Sequence, residues 1–145
     1  MDGGVYKYLK SIGFTSKELE ELEKNDYIWE TSKQRTEYIV NFLLEKGLSM
    51  EEIHTYFMSY PNIVSEHPHR LLDIDEIFNN IGLTNKEKKK LILENYETYS
   101  SNPDELQKIV NYLKGNTKEQ TIKSLFNNAQ YIAGDFEKVK QLIKK

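Results

Sequence analysis

The chain contains no cysteine, which removes disulfide scaffolds, thiolate zinc sites and cysteine nucleophiles together. Only three prolines and seven glycines interrupt its 145 residues. That scarcity suits a mostly helical protein, because both residues disfavour helix interiors. No run approaches the ~18 apolar residues of a membrane-spanning helix, and the opening Met1-Asp2-Gly3-Gly4 begins no apolar signal segment. The expectation is an intracellular, cytoplasmic protein with no membrane partner. Arginine is scarce too, at Arg35 and Arg70 alone. It is the side chain best suited to bidentate phosphate and base contacts, so its shortage weighs against a typical nucleic-acid module. Finally, there is no Gly-x-Ser-x-Gly, Walker loop, His-Glu-x-x-His or dinucleotide fingerprint. The chain reads as non-enzymatic, with no cofactor implied.

Ten Tyr, six Phe and one Trp supply ample material for a core. Net charge is −3, unevenly spread. Residues 1–72 carry eight Lys/Arg against twelve Asp/Glu, and residues 73–145 carry twelve against eleven. A nucleic-acid module is commonly basic throughout; this chain has at best a basic face on an acidic body.

Its most informative feature is a ladder of glycines. Gly13, Gly47, Gly82 and Gly115 stand 34, 35 and 33 residues apart, and Thr15, Ser49, Thr84 and Thr117 follow two positions after each. Each glycine ends an apolar helical stripe, such as Tyr38-Ile39-Phe42-Leu43 before Gly47, and fits a left-handed C-terminal cap. The hydroxyl residue then opens the next helix. Glu18, Glu52 and Glu87, three positions on, complete capping boxes with Thr15, Ser49 and Thr84. The fourth unit is degenerate: Asn116 replaces the apolar residue after glycine, and Gln120 stands where the others have glutamate. Terminal repeats are often atypical. Second helix starts fall at Thr31 or Ser32, at Ser65 or His67 before Pro68, at Ser101 or Asn102 before Pro103, and at Asp135. The predicted fold is all-α, a single helical-repeat domain over residues 1–145. It comprises tandem helix pairs of about 34 residues, some seven to nine helices, in a short superhelix of either hand.

A 34-residue helical period invites comparison with tetratricopeptide repeats, but Trp29 is not repeated and the small Ala-type positions are missing. The units instead resemble the repeats of the mitochondrial transcription termination factor family, in which an apolar helix ends in Gly-Leu-Ser or similar and an apolar stripe leads to Pro. Phe42 to Ile63 matches best, with Gly47-Leu48-Ser49, Ile53 and Pro61-Asn62-Ile63; Gly82-Leu83-Thr84 and Gly13-Phe14-Thr15 follow. Lys88 departs from the pattern at the position of Ile53, and Pro61 has no counterpart in the other units. The resemblance implies nucleic-acid binding by backbone contacts along a superhelical surface, in gene expression.

Two sets of residues are candidate contacts. Tyr27, Trp29, Tyr56, Tyr60, Tyr96, Tyr99 and Tyr131 recur late in each unit and could line a groove for a protein or peptide, the partner expected first. Lys86, Lys88, Lys89, Lys90 and Lys118 could instead bind phosphates, the alternative that the family resemblance favours. His67-Pro68-His69 lacks zinc-ligand spacing, and Asp73, Asp75 and Glu76 are expected to face solvent in different directions. No metal site is predicted.

Overall fold

The structure, a computed structural model, describes residues 1–143. Among these, ten α-helices and no strand occur. They are α1 (Gly3–Ser11), α2 (Ser16–Leu22), α3 (Asp26–Glu30), α4 (Lys33–Glu45), α5 (Met50–Ser59), α6 (Pro68–Asn80), α7 (Asn85–Glu94), α8 (Pro103–Leu113), α9 (Lys118–Asn127) and α10 (Phe136–Val139). Short 3-10 helices at Pro61–Ser65, Thr98–Ser100 and Ala129–Tyr131 follow α5, α7 and α9. The fold is therefore all-α and built from tandem helix pairs. Helices outnumber the seven to nine expected, partly because the connection containing Tyr27 and Trp29 is itself the short helix α3. No described helix is long and apolar enough to cross a membrane.

The chain divides into two compact units, Met1–Pro68 and a second from His69 onward, so the division falls between the second and third repeats. In the first unit α1 lies against α4 and α2 against α5. Like packs on like, as stacked helix pairs require. Its core includes Val5, Leu9, Leu19, Ile39, Leu43, Ile53 and Phe57, all essentially without solvent contact. In the second unit α8 contacts both α9 and α10, and α7 contacts the 3-10 helices at Thr98–Ser100 and Ala129–Tyr131. Leu71, Ile74, Phe78, Leu91, Ile92, Leu106, Ile109 and Leu125 form its core.

The turns explain why glycine is followed by an apolar residue and then a hydroxyl. Gly13, Gly47 and Gly82 have φ of 102°, 94° and 87°, where a Cβ would be strained. That conformation lets the next N–H reach back along the helix: Phe14 to the Leu9 carbonyl, Leu48 to Leu43 and Leu83 to Phe78, at 3.0, 3.2 and 3.0 Å. These bonds satisfy carbonyls that the helix end would orphan. They also turn Phe14, Leu48 and Leu83 into the core, where each is buried. Thr15, Ser49 and Thr84 then accept N–H bonds from Glu18, Glu52 and Glu87, whose carboxylates accept the N–H of the capping residue in return. Each box stabilises its helix by about 0.5–2 kcal/mol.

The fourth turn is built differently. Gly115 has no positive φ, and Asn116 is exposed where the other units bury an apolar residue. Gly115 donates instead to the Thr121 hydroxyl at 3.0 Å. Thr117 still caps α9 by accepting from the Gln120 N–H at 3.1 Å, but the Gln120 amide oxygen has moved one residue back, onto the Asn116 N–H at 2.7 Å. Elsewhere the predicted starts hold: Ser32 caps α4, Asn102 caps α8 ahead of Pro103, and Asp135 caps α10.

Gly47→Val tests the left-handed cap. A β-branched side chain there should lower stability by about 2 kcal/mol, read as a shifted urea midpoint. An unchanged midpoint would show that Gly47 needs no positive φ.

Candidate nucleic-acid interface

The capping hydroxyls place the second helix of every pair in one frame, so equivalent positions can be compared from repeat to repeat. Five and six residues after the capping hydroxyl, α2 carries Glu20 and Glu21, α5 His54 and Thr55, α7 Lys89 and Lys90, and α9 Ile122 and Lys123. Acid gives way to base while the backbone framework is preserved. On α7, Lys86, Lys89, Lys90 and Leu93 fall at i, i+3, i+4 and i+7, one stripe of a helix. That stripe lies opposite the buried Leu91 and Ile92.

In the second unit α7 and α9 approach one another. Asn95, just beyond α7, donates from its side-chain amide to the Ala129 carbonyl at 2.9 Å and ties the two helix ends together. The Lys90 ammonium sits over the Phe126 ring, 4.7 Å from its centre. Lys118 extends from the first turn of α9 across the α6–α7 turn, where its Cδ and Nζ come within 2.8 and 3.0 Å of the place a Cβ on Gly82 would occupy. Gly82 is required for its backbone angle, and the flexible end of Lys118 lies against it. Two grooves flank Phe126. One is lined by Lys86, Glu87, Lys89, Lys90, Leu93 and Glu94, the other by Glu87, Lys118, Glu119, Ile122 and Lys123.

Charges of both signs line these grooves, but four of the lysines are not ion-paired. Lys86, Lys90, Lys118 and Lys123 have no carboxylate partner among the described residues. Other lysines do: Lys24 pairs with Glu21, Lys108 with Glu105 and Lys140 with Glu137. The acid nearest the α7 lysines in sequence, Glu87, is engaged by the Thr84 N–H as a helix cap.

The tyrosines do not make a common groove. Tyr56 and Tyr99 are fully buried, because each falls on a core-facing position; Tyr99 donates its hydroxyl to Asp75 at 2.7 Å. Tyr60, Tyr96 and Tyr131 are half-buried, while Tyr27 and Trp29 stand exposed on α3. The Trp29 indole is pinned locally, donating to the Glu23 carbonyl at 2.9 Å.

The mTERF family model, that of the mitochondrial transcription termination factors, matches residues 4–144. The chain belongs to the mTERF family. Searches of curated proteins and of solved structures found no match.

Within this mTERF chain Lys88 must be removed from the candidate contacts. It is 3% exposed, with its ammonium 3.0 Å from the Asp75 carboxylate and bonded also to the Asn79 side chain. Asp75, expected at the surface, is buried as well. In the second repeat the corresponding positions are Val40, Ile53 and Val64, all buried. A polar trio of Asp75, Lys88 and Tyr99 has replaced an apolar one. Charge at position 88 therefore answers a buried carboxylate and is unavailable to a ligand.

The two arginines also have internal partners that sequence alone did not reveal. Arg35 and Arg70 occupy the third position of α4 and α6. Arg35 donates to the Ser65 carbonyl at 3.2 Å and Arg70 to the Ser101 carbonyl at 3.1 Å, each just ahead of the next repeat's first helix. Glu105, third in α8, makes the reciprocal contact by accepting the Phe136 N–H at 3.0 Å. The signal was a shared register about one repeat long, visible only once the helix starts were aligned.

Removing one member of the buried pair leaves an uncompensated charge, whereas replacing the whole group need not. Lys88→Ile should cost about 3–5 kcal/mol by chemical denaturation. The triple change Asp75→Val, Lys88→Ile, Tyr99→Phe should recover most of that loss. An unaltered stability for the single variant would contradict the buried pairing.

Proposed function

We propose that this mTERF-family chain is a non-enzymatic, intracellular nucleic-acid-binding protein acting in gene expression. Its phosphate contacts are Lys86, Lys90, Lys118 and Lys123, the last taking the place of the buried Lys88. The observation that carries this reading is the run of lysines without carboxylate partners on the adjoining helices α7 and α9. Unpaired ammonium groups on one face are what counterion release rewards, because each phosphate engaged frees a condensed cation. Family membership supports the same direction. A protein partner seated on repeated tyrosines, the first expectation, loses its groove with Tyr56 and Tyr99 in the core.

The arginine shortage, which argued against nucleic acid, now has another meaning. Both arginines hold backbone carbonyls between repeats, and contact with phosphate falls to lysine. Lysine binds phosphate as a point charge without the planar fork that reads guanine. Recognition of the backbone rather than of sequence follows.

Fluorescence anisotropy with a 20-base-pair duplex, titrated from 50 to 200 mM salt, tests the reading. Four engaged lysines predict a log–log slope of about −3.6. Combining Lys86→Glu, Lys90→Glu, Lys118→Glu and Lys123→Glu should abolish binding, while Lys7→Glu with Lys10→Glu should not. Absence of wild-type binding at 50 mM salt to both this duplex and a single-stranded oligonucleotide of the same length, or binding that survives the fourfold charge reversal, would overturn it.

A further inference from the structure

We infer that the chain binds a second copy of itself, the acidic face of α2 and α3 on one molecule seating against the lysines of α7 and α9 on another. The lysines are those of the phosphate-contact reading above, but this contact does not depend on what else they hold. Residues 16–30 carry six carboxylates against two lysines, while α7 and α9 together carry six lysines, one of them the buried Lys88, against three glutamates. On the acidic side Glu20, Glu23, Asp26 and Glu30 are exposed and have no cationic partner among the described residues. On the basic side Lys86, Lys90, Lys118 and Lys123 are exposed and equally unpaired. Complementary charge of this kind steers two surfaces together and fixes their register.

Trp29 separates this face from an ordinary solvated one. Helix α3 lies against the 3-10 helix Pro61–Ser65 and buries Ile28. Helical geometry then puts Asp26 and Glu30 on the side away from Ile28, with Tyr27 and Trp29 to either side. Trp29 is 59% exposed and Tyr27 38%. In the three later repeats the equivalent segment is a 3-10 helix with no large apolar side chain exposed. The Trp29 ring is nonetheless held in place, because its indole N–H donates to the Glu23 carbonyl at 2.9 Å. A side chain fixed in advance loses little freedom when a partner covers it, and tryptophan is a frequent anchor of protein interfaces. Its ring is also the best aromatic seat for an ammonium group. Lysines of this chain already make that type of contact, Lys90 over Phe126 and Lys46 over Phe42, at 4.7 and 4.5 Å. Phosphate is repelled by such a face. A lysine-bearing protein surface fits it, and the chain itself supplies one.

Sedimentation velocity on the full chain, with no nucleic acid present, tests the contact. At ~50 mM salt the weight-average sedimentation coefficient should climb between ~10 and ~300 μM protein, the range of weak interfaces. At ~500 mM salt it should stay at the monomer value, because exposed charges are then screened within a few ångströms. Trp29, the one tryptophan of the chain, should lose accessibility to acrylamide over the same rise at low salt. Glu20→Lys with Glu23→Lys, and separately Lys90→Glu with Lys118→Glu, should each weaken association about tenfold. The first pair brings the net charge nearer zero from −3, a change that by itself favours association. Lys7→Glu with Lys10→Glu, equal in charge to the second pair but off the face, should associate as the wild type does. Mixing the two weakened proteins should restore association, which misfolding of either could not mimic. Wild-type protein that stays monomeric at low salt overturns the inference and leaves the phosphate contacts to their own titration. Association with Trp29 still fully accessible, or undiminished by both reversals, overturns it as well. Association without nucleic-acid binding sustains it while rejecting the phosphate contacts.

Discussion

Three of the four repeats depend on a glycine that turns left at the end of a helix. With φ near 90–100° at Gly13, Gly47 and Gly82, the next residue drops into the core and the one after caps the following helix. The angle of each hairpin and the face presented by each second helix are set at that point. Backbone hydrogen bonding and apolar burial are satisfied in the same three residues, and the repeat is tolerant elsewhere as a consequence. That tolerance is visible on the surface. The same helical positions carry glutamates in α2 and lysines in α7 without altering the turns that hold them.

Within the second unit, charge has two fates. Lys88 lies inside, 3.0 Å from Asp75, and its pairing is a substitute for the Val40, Ile53 and Val64 packing of the preceding repeat. Such a pair is costly to break and contributes little net stability when intact. Lys86, Lys90, Lys118 and Lys123 lie outside without carboxylate partners, and they retain electrostatic attraction for an anionic strand. Four consecutive letters, Lys-Glu-Lys-Lys at 86–89, thus include a surface contact, a helix cap and a core cation. Helical periodicity separates them.

Much of the fold was legible because caps are local. Gly47 with Ser49 and Glu52 is a pattern whose chemistry closes within six residues, and the same holds at Gly13 and Gly82. Decay of the fourth turn was legible for the same reason, from Asn116 and Gln120. What escaped were contacts made between repeats. Arg35 reaching Ser65 and Arg70 reaching Ser101 need two helix starts to be placed first. Tyr56 and Tyr99 were misassigned because tyrosine suits both a core and a groove, and only packing decides. Lys88 was misassigned because a buried cation cannot be told from a solvated one until Asp75 is brought beside it.

The central claim is that one face, formed by α7 and α9, holds the nucleic-acid strand. Amide and lysine side-chain NMR shifts, followed as a single-stranded oligonucleotide is added to the full chain at a dilution where it is monomeric, test it most directly. The account predicts perturbations concentrated at residues 86–94 and 118–126, with α2 and α3 unmoved. Perturbations centred on Tyr27, Trp29 and the glutamates of α2, or none at saturating oligonucleotide in low salt, would contradict it.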